Sequence, residues 1–227
     1  MQSSPARERK PPQKEDDRLR NFLARESSVR YPPRALMRGG IEPSTNSHLS
    51  KAEIEYRAGR NAAAVPEAKQ AAKESPDSYK SQYLLALTLT ETGELKQAIE
   101  EFKKALPLAT TDDQRIVVNY NMGNAYFDLG DYQNATEAYQ NSLKVDGTLS
   151  KVHNNFGLAL IGLSRTSDAV LEFKRAVDLK PQYAEARYNL GAAYLQLGKK
   201  TEAQEISQAL AGMNAELAGR LEKLINQ

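Results

Sequence analysis

The stretch "YNMGNAYFDLG" (120–130) returns 68 residues later as "YNLGAAYLQLG" (188–198), and "NNFGLALIGLS" (154–164) stands halfway between them. A period of 34 residues is the mark of a stacked array rather than of a domain with one closed core. Aligning Gly123, Gly157 and Gly191 brings other places into register. Met122, Phe156 and Leu190 precede the glycines, and Tyr126, Leu160 and Tyr194 follow three places on. Twelve places on stand Ala135, Ala169 and Ala203, and sixteen places on stand Tyr139, Phe173 and Ser207. The apolar spacing of three and four predicts two helices per unit. The turn signals "TGEL", "LGDY" and "LGKK" fall between them, where glycine can end a helix in a left-handed conformation.

The frame extends upstream. Residues 82–106 fit it with Ala86 in the glycine place, followed by Leu89, Gly93, Ala98, Phe102 and Ala105. Residues 51–76 fit more loosely, through Ala52, Gly59, Ala64, Ala68, Ala71 and Pro76. A Gly or Ala midway along the first helix lets the second pack closely, and each pair buries its apolar face only by stacking on the next. Between the units starting at 79 and 116 the spacing is 37, and the extra residues around "TTDDQ" are expected to lengthen the inter-repeat turn.

These residues resemble the tetratricopeptide repeat family over about four-fifths of the chain. The resemblance implies an all-α fold, a right-handed α-α superhelix of helix-turn-helix units. The units are expected at 45–78 (degenerate), 79–112, 116–149, 150–183 and 184–211. Residues 212–227 carry Leu217, Leu221 and Leu224 on one stripe and are expected to form a capping helix, with self-association through it as the alternative.

Composition excludes several functions. There is no cysteine, hence no disulfide, thiolate metal site or Cys nucleophile, and no metal or other cofactor is expected. No apolar run approaches the roughly 18 residues of a membrane span, and no apolar leader segment follows Met1. A cytoplasmic location is the expectation, or an envelope location if a leader has been removed. No HExxH, GxSxG, phosphate-binding loop or GxGxxG occurs, so no enzyme and no small-molecule substrate are expected. Of the two histidines, His153 is expected at a helix–helix contact. Asn134 and Thr136 match a glycosylation pattern at the start of a packed helix, where it is discounted.

Charge is uneven. Residues 1–44 hold ten Lys+Arg and six Asp+Glu, and the remaining 183 residues hold 21 and 23. Six of the ten prolines also fall in 1–44, which reads as a flexible tail with one amphipathic stretch, "EDDRLRNFLARESS" (15–28), carrying Leu19, Phe22 and Leu23. The slightly acidic body makes a nucleic-acid partner unexpected. The runner-up function is RNA or anionic-surface binding through the basic tail, with the array as a structural or oligomerisation module.

In the resembling family the first helices of successive units line a concave groove, and a protein or peptide partner is expected there. On that face the sequence places Asn121, Asn155 and Asn189 in one row, with Asn124, Tyr83, Tyr120, Tyr188 and Lys151 beside it. An asparagine amide offers a donor and an acceptor together, matching a peptide C=O and N–H without reading side chains. The row is similar to the asparagine ladder of the O-linked N-acetylglucosamine transferase superhelix. It suits a non-enzymatic adaptor holding an extended segment, and the same asparagines could instead bond neighbouring units. The family's other mode, a carboxylate clamp for chaperone tails, would place cations where Tyr120, Glu185 and Asn189 stand, so that cargo is not expected. Segment 15–28 is itself a candidate occupant of the groove.

Overall fold

The computed structural model describes residues 47–227. The tail at 1–44 and its amphipathic stretch at 15–28 lie outside the described residues, and with them the basic surface of the runner-up function. The described residues form eleven helices. They are α1 (Ser47–Arg57), α2 (Asn61–Glu74), α3 (Tyr79–Glu91), α4 (Leu95–Leu108), α5 (Asp112–Asp128) and α6 (Tyr132–Val145). Then come α7 (Ser150–Gly162), α8 (Thr166–Leu179), α9 (Ala184–Gln196), α10 (Lys200–Ala211) and α11 (Ala215–Ile225). Every helix packs on those one or two places away in the chain, so the fold is an all-α array of stacked pairs with α11 closing its end.

The glycine frame has a direct cause. A Cβ on Gly123 would stand 2.6 Å from the Tyr139 ring, and one on Gly157 would stand 2.6 Å from the Phe173 ring. The aromatic of each second helix lies flat on the glycine of the first, where a side chain would push the pair apart. The last pair lacks that aromatic, because Ser207 holds the place. There Leu221 of α11 comes in instead, 2.5 Å from where a Gly191 Cβ would be, and Ser207 Oγ donates to the Ala218 carbonyl at 3.2 Å. The stripe Leu217, Ala218, Leu221 and Ile225 is thereby buried on α9 and α10.

Helix turns follow the sequence closely. Gly59, Gly93, Gly130 and Gly198 all have positive φ between the helices of a pair, and Ser164 holds the same place at φ 60°. The long spacing, however, is not taken up by the turn. Helix α5 has 17 residues where α3 has 13, and only Ala109–Thr111 separate it from α4. Thr111 and Gln114 form a reciprocal capping box, so this N-cap chemistry starts the helix a turn early and absorbs the insertion.

Candidate functional site

The first helices α3, α5, α7 and α9 each present their asparagine or tyrosine to the next, and the row is a bonded seam. Asn121 Nδ2 donates to Tyr83 Oη at 2.8 Å, and Asn155 Nδ2 donates to Tyr120 Oη at 3.2 Å and to Asn124 Oδ1 at 3.0 Å. Asn189 Nδ2 donates to Asn154 Oδ1 at 2.9 Å, and Asn154 Nδ2 donates to Asn155 Oδ1 at 3.2 Å. Tyr139 Oη, from α6, donates to Asn124 Oδ1 at 2.8 Å. Asn121, Asn154, Asn155 and Asn189 are all buried.

Counting hydrogens divides the row. An amide nitrogen carries two hydrogens and its oxygen two lone pairs. Asn155 spends both hydrogens and accepts one bond, and Asn124 Oδ1 accepts two. Asn121 and Asn189 each spend one hydrogen, and no described residue donates to their oxygens. All three asparagines tie repeats together, and Asn155 has both of its hydrogens engaged among the described residues where Asn121 and Asn189 each have one.

The tyrosines are built into the same layer. Tyr83 stacks on Tyr79 with ring centroids 5.4 Å apart, Tyr120 meets Tyr139 at 6.1 Å, and the Arg220 guanidinium lies 5.6 Å over the Tyr188 ring. Burial pushes the Tyr83 and Tyr139 phenols well above their ordinary range, so both remain hydrogen-bonding neutral groups. Lys151 is half-buried at the start of α7. Tyr139 completes the seam from a second helix, and Asn154, 34 residues from both Tyr120 and Tyr188, stands in their place on the first helix.

A second recurring device stands four places before Ala52, Ala86, Gly157 and Gly191, though not before Gly123, where Asn119 donates to the Arg115 carbonyl of its own helix. Gln82 donates to the Pro76 carbonyl at 2.9 Å and Arg187 to the Pro181 carbonyl at 2.9 Å. His153 Nε2 meets the Gly147 carbonyl at 3.0 Å, while its Nδ1 meets Glu172 Oε2 at 2.6 Å. His48 makes the same bond across the same 19 residues, Nδ1 to Glu67 Oε2 at 2.6 Å. These pairs fasten helices to one another and to the inter-repeat turns. His153 also lies along an open cleft of about 820 Å³ between α6, α7 and α8, with exposed Leu171 on its rim, away from the asparagine row. Thr136 is buried and donates to the Gln133 carbonyl. Among the described residues no group of three His, Asp or Glu side chains could hold a metal ion, and no described helix is long and apolar enough to cross a membrane.

Paired helices stacked in one direction, with a polar seam along the first helices, define a helical-repeat scaffold of the kind that mediates protein interactions. The chain belongs to the tetratricopeptide repeat family: "Tetratricopeptide repeat" profiles match residues 49–113, 117–149 and 184–216, and a "TPR repeat" profile matches 161–198. Its members typically work as non-enzymatic adaptors. Among curated relatives, "Protein STIP1 homolog" from Dictyostelium discoideum is 28% identical over 89 residues, which is 39% of this chain and 16% of that protein. The chain thus matches less than a fifth of that relative's length. Two solved structures share the fold. MamA from Desulfovibrio magneticus RS-1 has a TM-score of 0.69 at 18% identity, covering 74% of this chain and 94% of the other. YrrB, described as a TPR protein with an unusual peptide-binding site, has a TM-score of 0.65 at 18% identity, covering 78% and 90%.

Proposed function

We propose that this chain is a non-enzymatic adaptor that holds an extended protein segment along the inner face of its first helices. The observation that carries the reading is the unspent hydrogen-bonding capacity of Asn121 and Asn189. Each is held in one orientation by a neighbour, with one N–H and its C=O making no bond to a described side chain. A main-chain amide of a bound segment would satisfy both at once. Tyr83 and Tyr120 accept from Asn121 and Asn155 and hold them in place; with Tyr188 they are at most 8% exposed and offer little contact area of their own. Lys151, with Asn124 and Asn155 between, gives the face a polar middle. A carboxylate tail is not the proposed cargo, because Tyr120, Glu185 and Asn189 occupy the places where its cations would be needed.

The test is affinity capture from the native source with three baits: the intact chain, Asn121→Ala with Asn189→Ala, and Leu171→Ala on the opposite cleft. Thermal unfolding checks that all three are folded. Partners kept by the cleft variant and lost from the asparagine variant are expected. If the asparagine variant keeps every partner, those residues serve architecture alone and the proposal fails.

A further inference from the structure

The buried apolar side chains of the described residues do not form one continuous core. One large cluster runs from Leu49 through α4 and takes in Val117, Val118, Met122 and Ala125 of α5, with Ala138 of α6. The other starts at Tyr120 and Phe127, on a different face of α5, and runs through Tyr139, Phe156 and Phe173 to Ile225. The equivalent places of α7 explain the break. Leu158 and Leu160 lie in one cluster with the other large buried apolar residues of α7, whereas α5 has Asn124 and the half-buried Tyr126 in those places. Tyr126 packs against both clusters.

Helix α5 also starts without help from α4. Thr111 Oγ accepts from Gln114 N at 3.2 Å, and Gln114 Oε1 accepts from Thr111 N at 3.3 Å and from Thr110 N at 2.7 Å. The later first helices α7 and α9 have no side-chain cap of this kind. They are fastened instead to the preceding turn, by His153 to the Gly147 carbonyl and by Arg187 to the Pro181 carbonyl. A helix capped by its own residues keeps its end when the preceding helix leaves. The parting line therefore falls between α4 and α5.

The two clusters also differ in what they bury. Of the 20 buried residues in the first, nine are alanine and two aromatic; of the 23 in the second, six are alanine and seven aromatic. Each aromatic ring buries about 150–250 Å². The first cluster thus removes less apolar area from water per residue and is the weaker of the two.

We propose that α1–α4 open and close as one cooperative unit while α5–α11 stay folded, with the boundary at residues 109–111. Opening uncovers Val117, Val118 and Met122, which keeps the open form a minor one. It also takes Tyr83 away from Asn121. That last consequence rests on the reading of the inner face as a binding surface: closure of the unit fixes the Asn121 amide in the orientation a partner meets.

Native-state hydrogen exchange of the full chain at rising, sub-denaturing urea is the test. Amides of residues 84–89, 99 and 102 should merge onto one opening isotherm. Those of 158–161 and 173 should merge onto a second, with protection greater by about tenfold or more. One shared isotherm overturns the proposal, and so does protection that changes smoothly along the array. Two mild variants at equivalent places, Ile99→Val in α4 and Val170→Ala in α8, keep the chain folded and locate the boundary. Ile99→Val should speed exchange in α1–α4 by about two- to tenfold and leave α7–α9 unchanged. Val170→Ala should speed α7–α9 and leave α1–α4 unchanged, and an effect that crosses the boundary in either variant overturns the proposal. Partner capture reads the adaptor function separately. A shared isotherm with partners lost on Asn121→Ala with Asn189→Ala removes the two-unit account and leaves the adaptor, while two isotherms with every partner kept do the opposite.

Discussion

Leu221→Ala tests how the array ends. The side chain is fully buried and fills the space beside Gly191 that Tyr139 and Phe173 fill beside Gly123 and Gly157. Removing it opens a cavity lined by Gly191 and Ile206, at a cost of about 2–5 kcal/mol, toward the upper end because the backbone at Gly191 has no side chain to collapse inward. Stacked repeats transmit such losses mainly to their neighbours. Hydrogen exchange followed by mass spectrometry should therefore accelerate in α9, α10 and α11 and leave α2 to α4 nearly unchanged, while urea unfolding reports the loss. Adding Ser207→Phe supplies the aromatic that this repeat lacks. In the intact chain that change collides with α11, since Ser207 Oγ lies 3.2 Å from the Ala218 carbonyl, and should cost about 1–3 kcal/mol. In the Leu221→Ala background it should cost far less, because the ring enters the vacated space. The coupling should exceed about 1 kcal/mol. Strictly additive effects, or exchange that accelerates evenly along the whole array, would refute the account of α11 as the stand-in for a missing aromatic.

Three further outcomes are expected. His153→Ala should destabilise by about 1–3 kcal/mol, because it strips a partner from the buried Glu172 and from the Gly147 carbonyl; His153→Gln should recover part of it in urea unfolding, as Gln82 holds the Pro76 carbonyl in α3, and a Gln variant no better than Ala would count against this. Ser164→Gly relieves a non-glycine residue at φ 60°, and after subtracting the entropy of glycine it should raise stability by roughly 0.5–1 kcal/mol; a lower melting temperature would contradict it. The buried Tyr83 and Tyr139 phenols titrate above their unfolded value, so the unfolded chain loses these protons first as pH rises. Stability from them is full below the ordinary tyrosine range near 10 and falls from there upward. Alkaline titration should show phenolate absorbance from these residues appearing together with loss of helix, and early, unfolding-free ionisation of all tyrosines would contradict it.

The sequence by itself determined the fold, because a 34-residue period in Gly123, Gly157 and Gly191, with aromatics sixteen places beyond the first two, encodes a contact that nearest neighbours make. It also marked Asn121, Asn155 and Asn189 as one row. It misjudged the insertion near Thr111, since the composition of a cap does not say whether the added residues extend a loop or a helix. Tertiary structure alone decided how each asparagine spends its amide. Tyr83, Tyr139 and Asn154 reach those amides from other helices, and hydrogen-bond partners 15 to 38 residues apart leave no mark on local spacing. The replacement of an aromatic by Leu221 was hidden for the same reason: Ser207 announces a gap, but only packing in space shows what fills it.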